Sequence, residues 1–203
     1  MRIKDREFFN RAHKSNFCYD IWRPSNEVIV LGRNSNESDD VKQEAYDNGI
    51  EIRRRIGGGG TVYLNSGTLV LDIAYITENR KDFRYYYKTS NNFIISALNK
   101  MGIPAETENS FYDMVIEKKK FGGVSLFISK NKILYSASII IKETTIDLIN
   151  KYLNIPDRQP DYRNNRDHID FLTSLGQYMD FDIKKLKSII TDQLESYKSN
   201  LDK

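Results

Sequence analysis

The chain has 203 residues, 39% hydrophobic and 29% charged, which suits one substantial core and is short for two domains. Its 31 basic and 28 acidic residues nearly balance at a net charge of +3, too even to argue for a nucleic-acid partner. No apolar run approaches the roughly 20 residues that span a bilayer, so no membrane association is expected.

The N-terminal residues Met1 to Glu7 are charged and lack the apolar stretch of a secretory signal. One cysteine, Cys18, and two histidines leave neither an intrachain disulfide nor a Cys/His metal cluster. A cytoplasmic chain without a structural metal is the expectation. The periodicity predicts a helix over 5–15 and strands over 17–22 and 27–31, split by the turn Pro24-Ser25-Asn26. Ser38 is the expected N-cap of a helix over 39–47, which Asn48-Gly49 should end. A strand over 50–55 runs into Gly57-Gly58-Gly59-Gly60, and strands over 61–63 and 68–74 follow. A helix over 91–101 carries Ile94, Leu98 and Met101 on one face and stops at Gly102. Strands over 113–117 and 132–142 precede helices near 145–153, 167–179 and 182–198. Without a regular βαβ rhythm this is α+β, with a mixed sheet and flanking helices.

Four of the eleven glycines stand together at 57–60. Glycine lets a ligand approach the main chain closely, and exposed N–H groups in such a loop form an anion-binding concavity. Arg54 and Arg55, directly before it, are forked donors suited to phosphate or carboxylate. A flexible hairpin with solvated arginines accounts for these residues equally well. No Gly-Lys-Ser/Thr follows, and a strand comes next, so neither a P-loop nor a dinucleotide fingerprint fits. Lys118-Lys119-Lys120-Phe121-Gly122-Gly123-Val124-Ser125 is a second basic, glycine-bearing run, whose plain reading is a solvated turn between strands. Taken together, a shared anion site becomes the better account of both. An adenylating enzyme needs such a pair to hold a carboxylate against an α-phosphate and to stabilise charge at phosphorus.

Arg54-Arg55-Ile56-Gly57-Gly58-Gly59-Gly60-Thr61-Val62-Tyr63 resembles the Arg-Arg-x-x-Gly-Gly-Gly-Ala-Val-Phe/Tyr signature of lipoate–protein ligases. Val28 to Asn36 is similar to that family's strand ending in Ile-Gly-Arg-x-Gln-Asn. Ala97 to Ile103, Tyr112-Asp113-Met114-Val115 and Tyr152-Leu153-Asn154 match further segments in order. Lys120-Phe121-Gly122-Gly123-Val124-Ser125 looks like the family's Lys-Val/Ile-x-Gly-x-Ala, whose lysine is catalytic. The resemblance covers about residues 20 to 155 and implies a mostly antiparallel sheet in a fold shared with biotin ligases and class II synthetases. It implies a two-step reaction in which lipoate or octanoate and Mg-ATP give an acyl-adenylate. A lysine of a lipoyl carrier domain, of the H-protein or 2-oxoacid dehydrogenase E2 type, then takes the acyl group. By position, Lys120 would be catalytic, and Arg55, Gly60, Thr61, Val62, Tyr63 and Lys120 would bind the nucleotide. Arg54, Gly58, Gly59, Gly123, Ser125 and Ala137 would contact the acyl or phosphate groups. Asp113 would hold magnesium or orient Lys120, beside the plainer reading of an ordinary strand-end carboxylate.

Several positions depart from the family. Leu64-Asn65 replaces His-Asp, Ser125 replaces a small alanine, and Leu134-Tyr135-Ser136-Ala137 replaces a His-His-Gly run. The family's C-terminal accessory domain does not fit in this length. The expectation is a single catalytic domain over residues 1–203, with a separate accessory-domain protein as a partner. Arg158, Asp161, Arg163 and Arg166 would recognise an acidic carrier or pin an ordered loop, of which the second is preferred. His168 is expected to hydrogen-bond at a helix N-terminus. A cysteine-dependent octanoyl or lipoyl transferase would need Cys18 near the lysine, yet its apolar company suits a small core residue. A degenerate member that binds lipoate or an adenylate without turnover is the remaining alternative.

Overall fold

Period-two alternation sorts the long strands of the chain, whose computed structural model describes residues 5–78, 81–178 and 182–201. A six-stranded antiparallel sheet has the order β1-β5-β9-β8-β7-β6. Its strands are β1 (Phe17–Trp22), β5 (Thr68–Ile76), β9 (Lys132–Ile140), β8 (Lys119–Ser129), β7 (Met114–Ile116) and β6 (Glu106–Thr107). Leu69, Leu71 and Ile73 of β5 and Tyr135 and Ile139 of β9 share one buried face. Helices α4 (Phe83–Lys100) and α7 (Ile183–Leu201) cover it with Ile94, Leu98, Leu186, Ile190 and Leu194. Each such side chain contributes about 1.5–3 kcal/mol on leaving water.

The second sheet has the order β3-β2-β4, formed by β3 (Glu51–Arg54), β2 (Val28–Leu31) and β4 (Val62–Leu64), with β2 parallel to β3 and antiparallel to β4. Ile29, Leu31 and Tyr63 pack toward α3 (Gln43–Asp47) and α5 (Thr144–Tyr152). Val28, Val30 and Leu64 face Val70 of β5 and so join the two sheets. Helix α1 (Asp5–Ser15) lays Phe8, Phe9 and Ala12 on Ala74 and Leu134. The result is the mixed, mostly antiparallel α+β architecture expected.

Five local expectations need correcting. The helix over 39–47 is two short ones, α2 (Glu37–Asp40) and α3, because Val41 turns extended, enters the core and bridges Leu153. Ser38 lies inside α2, and the N-cap is Asn36, without a side-chain cap bond. Helix α4 begins well before residue 91, at the N-cap Asp82, whose carboxylate accepts from the Arg84 amide. Its tyrosine run reads as strand by propensity, but Tyr86 is buried against Tyr75 and Tyr87 stacks on Tyr112.

The run 119–129 is a full strand in place of a turn. A Cβ on Gly122 would fall 2.5 Å from Met114 Cε and 3.2 Å from the Ser138 carbonyl oxygen, so the Met114 side chain occupies the space beside the glycine. The helix over 167–179 keeps four residues, α6 (His168–Phe171), followed by a 3-10 turn at Leu175–Gln177; residue 179 lies outside the described residues. Leu172 leaves the helix to bridge Lys120 in β8, and the Thr173 amide donates to the Lys120 carbonyl at 2.9 Å.

The β7–β8 hairpin turns on Glu117 (φ 50°) and Lys118 (φ 61°), the left-handed pair of a type I′ turn, which favours Asn-Gly. Lys118→Gly is therefore expected to stabilise the chain by about 1 kcal/mol, read as a raised urea midpoint at unchanged slope. A lowered midpoint would contradict this.

Candidate active site

A cavity of about 800 Å³ lies on the sheet face opposite α4 and α7. Register explains its polar floor. Asp20, Asp72, Ser136 and Ser125 stand side by side on β1, β5, β9 and β8, so their side chains share that face. Ala137 borders the cavity, but its methyl belongs to the opposite, helix-covered core.

The glycine loop closes over β8. The Gly58 amide donates to the Leu126 carbonyl at 3.2 Å, and a Cβ on Gly57 would fall 2.1 Å from Ser125 Oγ. Arg55 is folded inside the loop. Its Nε donates to Ser125 Oγ at 3.1 Å and to the Gly58 carbonyl at 3.2 Å. Its Nη2 donates to the Gly58 and Gly60 carbonyls at 2.7 and 2.6 Å, and its Nη1 to Val30 at 3.2 Å. Burial pushes its pKa down to about 10, with Tyr87 and Asp5 opposing, so it stays charged at neutral pH. In a trans peptide the N–H lies opposite the carbonyl. The Gly59 and Thr61 amides therefore point away from the guanidinium in a loop that borders the cavity.

The other predicted loop residues divide. Arg54 lies off the cavity lining and donates to the carbonyls of Gly32 (2.8 Å) and Ser35 (2.6 Å). Thr61 donates its hydroxyl to Asp40, which ties the loop to α2. Val62 packs toward Val70 and Trp22, whereas Tyr63 lies in the core under α5 and donates to Glu27 at 2.6 Å. Asn65, at the family's His-Asp position, is a buried turn residue whose Oδ1 accepts from the Gly67 amide and Thr145.

At the other end of the cavity, the Lys120 ammonium lies 2.7 Å from Asp113 Oδ1, and its side chain crosses Gly123. Asp113 is 5% exposed, while the Lys120 side chain is 27% exposed, so the pair is anchored inside and reachable from the cavity. Its second oxygen accepts from the Tyr162 hydroxyl at 2.9 Å. Burial and then Asp113 push the Tyr162 pKa far above the phenolic value, which keeps the hydroxyl a donor. Tyr112, with φ 60°, positions Asp113, and the buried Asn91 amide holds the Tyr112 carbonyl at 2.8 Å.

With Lys120 on one oxygen and Tyr162 on the other, Asp113 is placed to orient the lysine, and the described residues contain no group of three side chains that could hold a metal ion. Lys118 and Lys119 are exposed at the hairpin.

The segment after α5 clasps this hairpin. Arg166 donates to the carbonyls of Lys118 (3.1 Å) and Tyr162 (2.9 Å), and Arg163 is buried under Phe171. His168 faces the Asn154 carbonyl through Nε2 at 3.1 Å and Arg163 through Nδ1 at 3.4 Å, which fits a neutral ring protonated on Nε2. Burial pushes its pKa down to about 4. Cys18 lies outside the cavity lining, and burial raises its pKa, which favours the unreactive thiol.

Tyr162 and Asp72 are site residues that the structure adds to those expected from the sequence. No local pattern links Tyr162 to a carboxylate 49 residues away. Asp72 did carry a signal, as a lone acid in the apolar run Leu69 to Ala74.

Residues 5–195 match the family model of the lipoyl protein ligase A/B catalytic domain, and the chain belongs to that family. A probable lipoate-protein ligase A of Mycoplasma pneumoniae is 29% identical over 148 residues, covering 72% of this chain and 42% of that protein. The match thus spans less than half the length of that relative. A lipoate-protein ligase A solved with ATP superposes with a TM-score of 0.76 at 18% identity, over 91% of this chain and 73% of the other. A bipartite lipoate protein ligase of Thermoplasma acidophilum, described with its E2 lipoyl domain, gives 0.75 at 20% identity, over 91% and 71%. These structures share the fold.

Proposed function

We propose that the chain joins a medium-chain carboxylic acid of the lipoate or octanoate kind to the α-phosphate of ATP and passes the acyl group to a carrier lysine. The observation that carries this reading is the Lys120 ammonium, held by a buried carboxylate in the cavity closed by the glycine loop. The acid's carboxylate oxygen attacks the α-phosphorus and pyrophosphate leaves. The carrier amine then attacks the acyl carbon and AMP leaves. Lys120 offsets the charge that gathers on the phosphoryl oxygens, and the Gly59 and Thr61 amides add donors. Arg55 acts from behind by setting the shape of the loop. Magnesium would accompany ATP and neutralise charge on its phosphates. The carrier is a lipoyl domain of the H-protein or E2 type, and a separate accessory-domain protein supports adenylation, as the bipartite Thermoplasma relative suggests.

The test is incubation with lipoate, Mg-ATP and a lipoyl domain, following carrier mass and pyrophosphate. Carrier gaining the lipoyl mass supports the reading. Transfer from lipoyl-AMP but not from ATP plus lipoate points to the accessory protein. Binding without either reaction selects the non-catalytic alternative. Transfer from an acyl-carrier thioester that is abolished by Cys18→Ala selects the transferase, which the raised Cys18 pKa disfavours.

Tyr162→Phe removes one hydrogen bond from Asp113 and is expected to slow adenylation about tenfold with little change in KM. An unchanged rate in pyrophosphate exchange would remove Tyr162 from the site.

A further inference from the structure

Asp72 occupies the middle of the cavity floor, where a site for an alkyl tail would be expected to be apolar. Its Oδ1 accepts from Ser136 Oγ at 2.5 Å and its Oδ2 from Trp22 Nε1 at 2.7 Å. A carboxylate has about four acceptor positions, so two remain. No cation pairs with it among the described residues. The like charges of Asp20 on β1 and Asp5 on α1 act on it instead, and burial pushes its pKa up to about 6. At neutral pH it is therefore mostly ionised, and it presents free acceptor positions to the cavity that a ligand entering in place of solvent has to satisfy.

Its position relative to the reacting end is set by register. Lys120 lies across Gly123, which pairs with Ser138, which in turn pairs with Val70 on the strand of Asp72. Asp72 is thus two strand spacings across and two residues along from Gly123, about 12 Å from the Lys120 side of the cavity. An acid with its carboxylate at Lys120 and a medium-length chain lying along the floor brings its far end alongside Asp72.

We propose that Asp72, between Trp22 and Ser136, selects a medium-chain carboxylic acid whose far end carries a hydrogen-bond donor over one ending in a plain alkyl group. The inference rests on the reading of the cavity as an acyl site and narrows its acid. In the lipoyl series, the reduced dithiol, with two S–H donors, fits the floor better than the cyclic disulfide or octanoate. An ω-hydroxyl or ω-ammonium group serves the same acceptor.

Calorimetric titration without ATP tests selection apart from turnover, with octanoate, ω-hydroxyoctanoate, ω-aminooctanoate, lipoate and dihydrolipoate as probes. The wild type is expected to bind the donor-ended acids about tenfold more tightly than octanoate. Asp72→Leu, which removes the acceptor, should bring that ratio near one, and Asp72→Asn, which keeps the shape and one neutral acceptor oxygen, should lower it, most for the ω-ammonium acid. Equal wild-type affinities, or a preference that survives both variants, overturn the role of Asp72 and leave the acyl site standing. Failure of every acid to bind overturns the acyl site as well.

Discussion

Lys120→Met is expected to lower acyl-adenylate formation by a factor of about a thousand, the loss seen when one preorganised donor to a developing oxyanion is removed. The variant also leaves the Asp113 carboxylate buried with Tyr162 as its remaining hydrogen-bond donor, at a cost of about 1–3 kcal/mol in stability. A double variant separates the two effects. Lys120→Met with Asp113→Asn neutralises the orphaned acid and should recover most of the lost stability while activity stays low. Denaturant midpoints and pyrophosphate exchange on the three proteins read this directly. Activity in Lys120→Met near that of the wild type would remove the lysine from the chemistry.

The second large effect is a pair of opposed pH dependences. His168 is pushed from 6.5 to about 4 by burial, helped by Arg163 and Lys42 and opposed by the Asn154 carbonyl and Asp167. As pH falls from 6.5 to 4, the unfolded chain takes up this proton and the folded chain does not, so stability falls by about 3 kcal/mol. Asp72 moves the other way, from 3.8 to about 6. As pH falls from 6 to 3.8, the folded chain takes up its proton first, so stability rises by about 3 kcal/mol. The two slopes nearly cancel in the wild type between pH 6 and 4. Asp72→Asn should be more stable than the wild type at pH 7.5 and lose that advantage by pH 4. His168→Gln should fall behind the wild type most at pH 7.5 and gain on it as pH drops. Urea midpoints across this range, read as differences from wild type, check both. Parallel curves for all three proteins would show that neither group is perturbed.

Recognition from sequence worked where chemistry is carried by contiguous residues. Gly57 to Gly60 and the Lys120 run stand out because glycine and lysine clusters are local patterns, and the cavity brings their segments together. It failed where a distant partner reverses a local preference. Gly122-Gly123 reads as a turn until the strand pairing with Met114 and Ser138 is in place, and Tyr85-Tyr86-Tyr87 gives no helical signal until Tyr75 and Tyr112 are packed against it. The predicted helix after residue 167 stops where Leu172 pairs with Lys120, a contact that no periodicity encodes. Asp113 stands out beside its aromatic neighbour, but its orientation depends on Tyr162, from a segment whose sequence shows only a charged loop.

The enclosure of Arg55 has an electrical consequence. Exposed charges such as those of Lys118 and Lys119 are screened by dissolved ions over roughly 8 Å at physiological ionic strength. A guanidinium wrapped in loop carbonyls and Ser125 is shielded from those counterions. The fixed part of the loop's attraction for an anion therefore persists in salt, while the part supplied by the surface lysines fades.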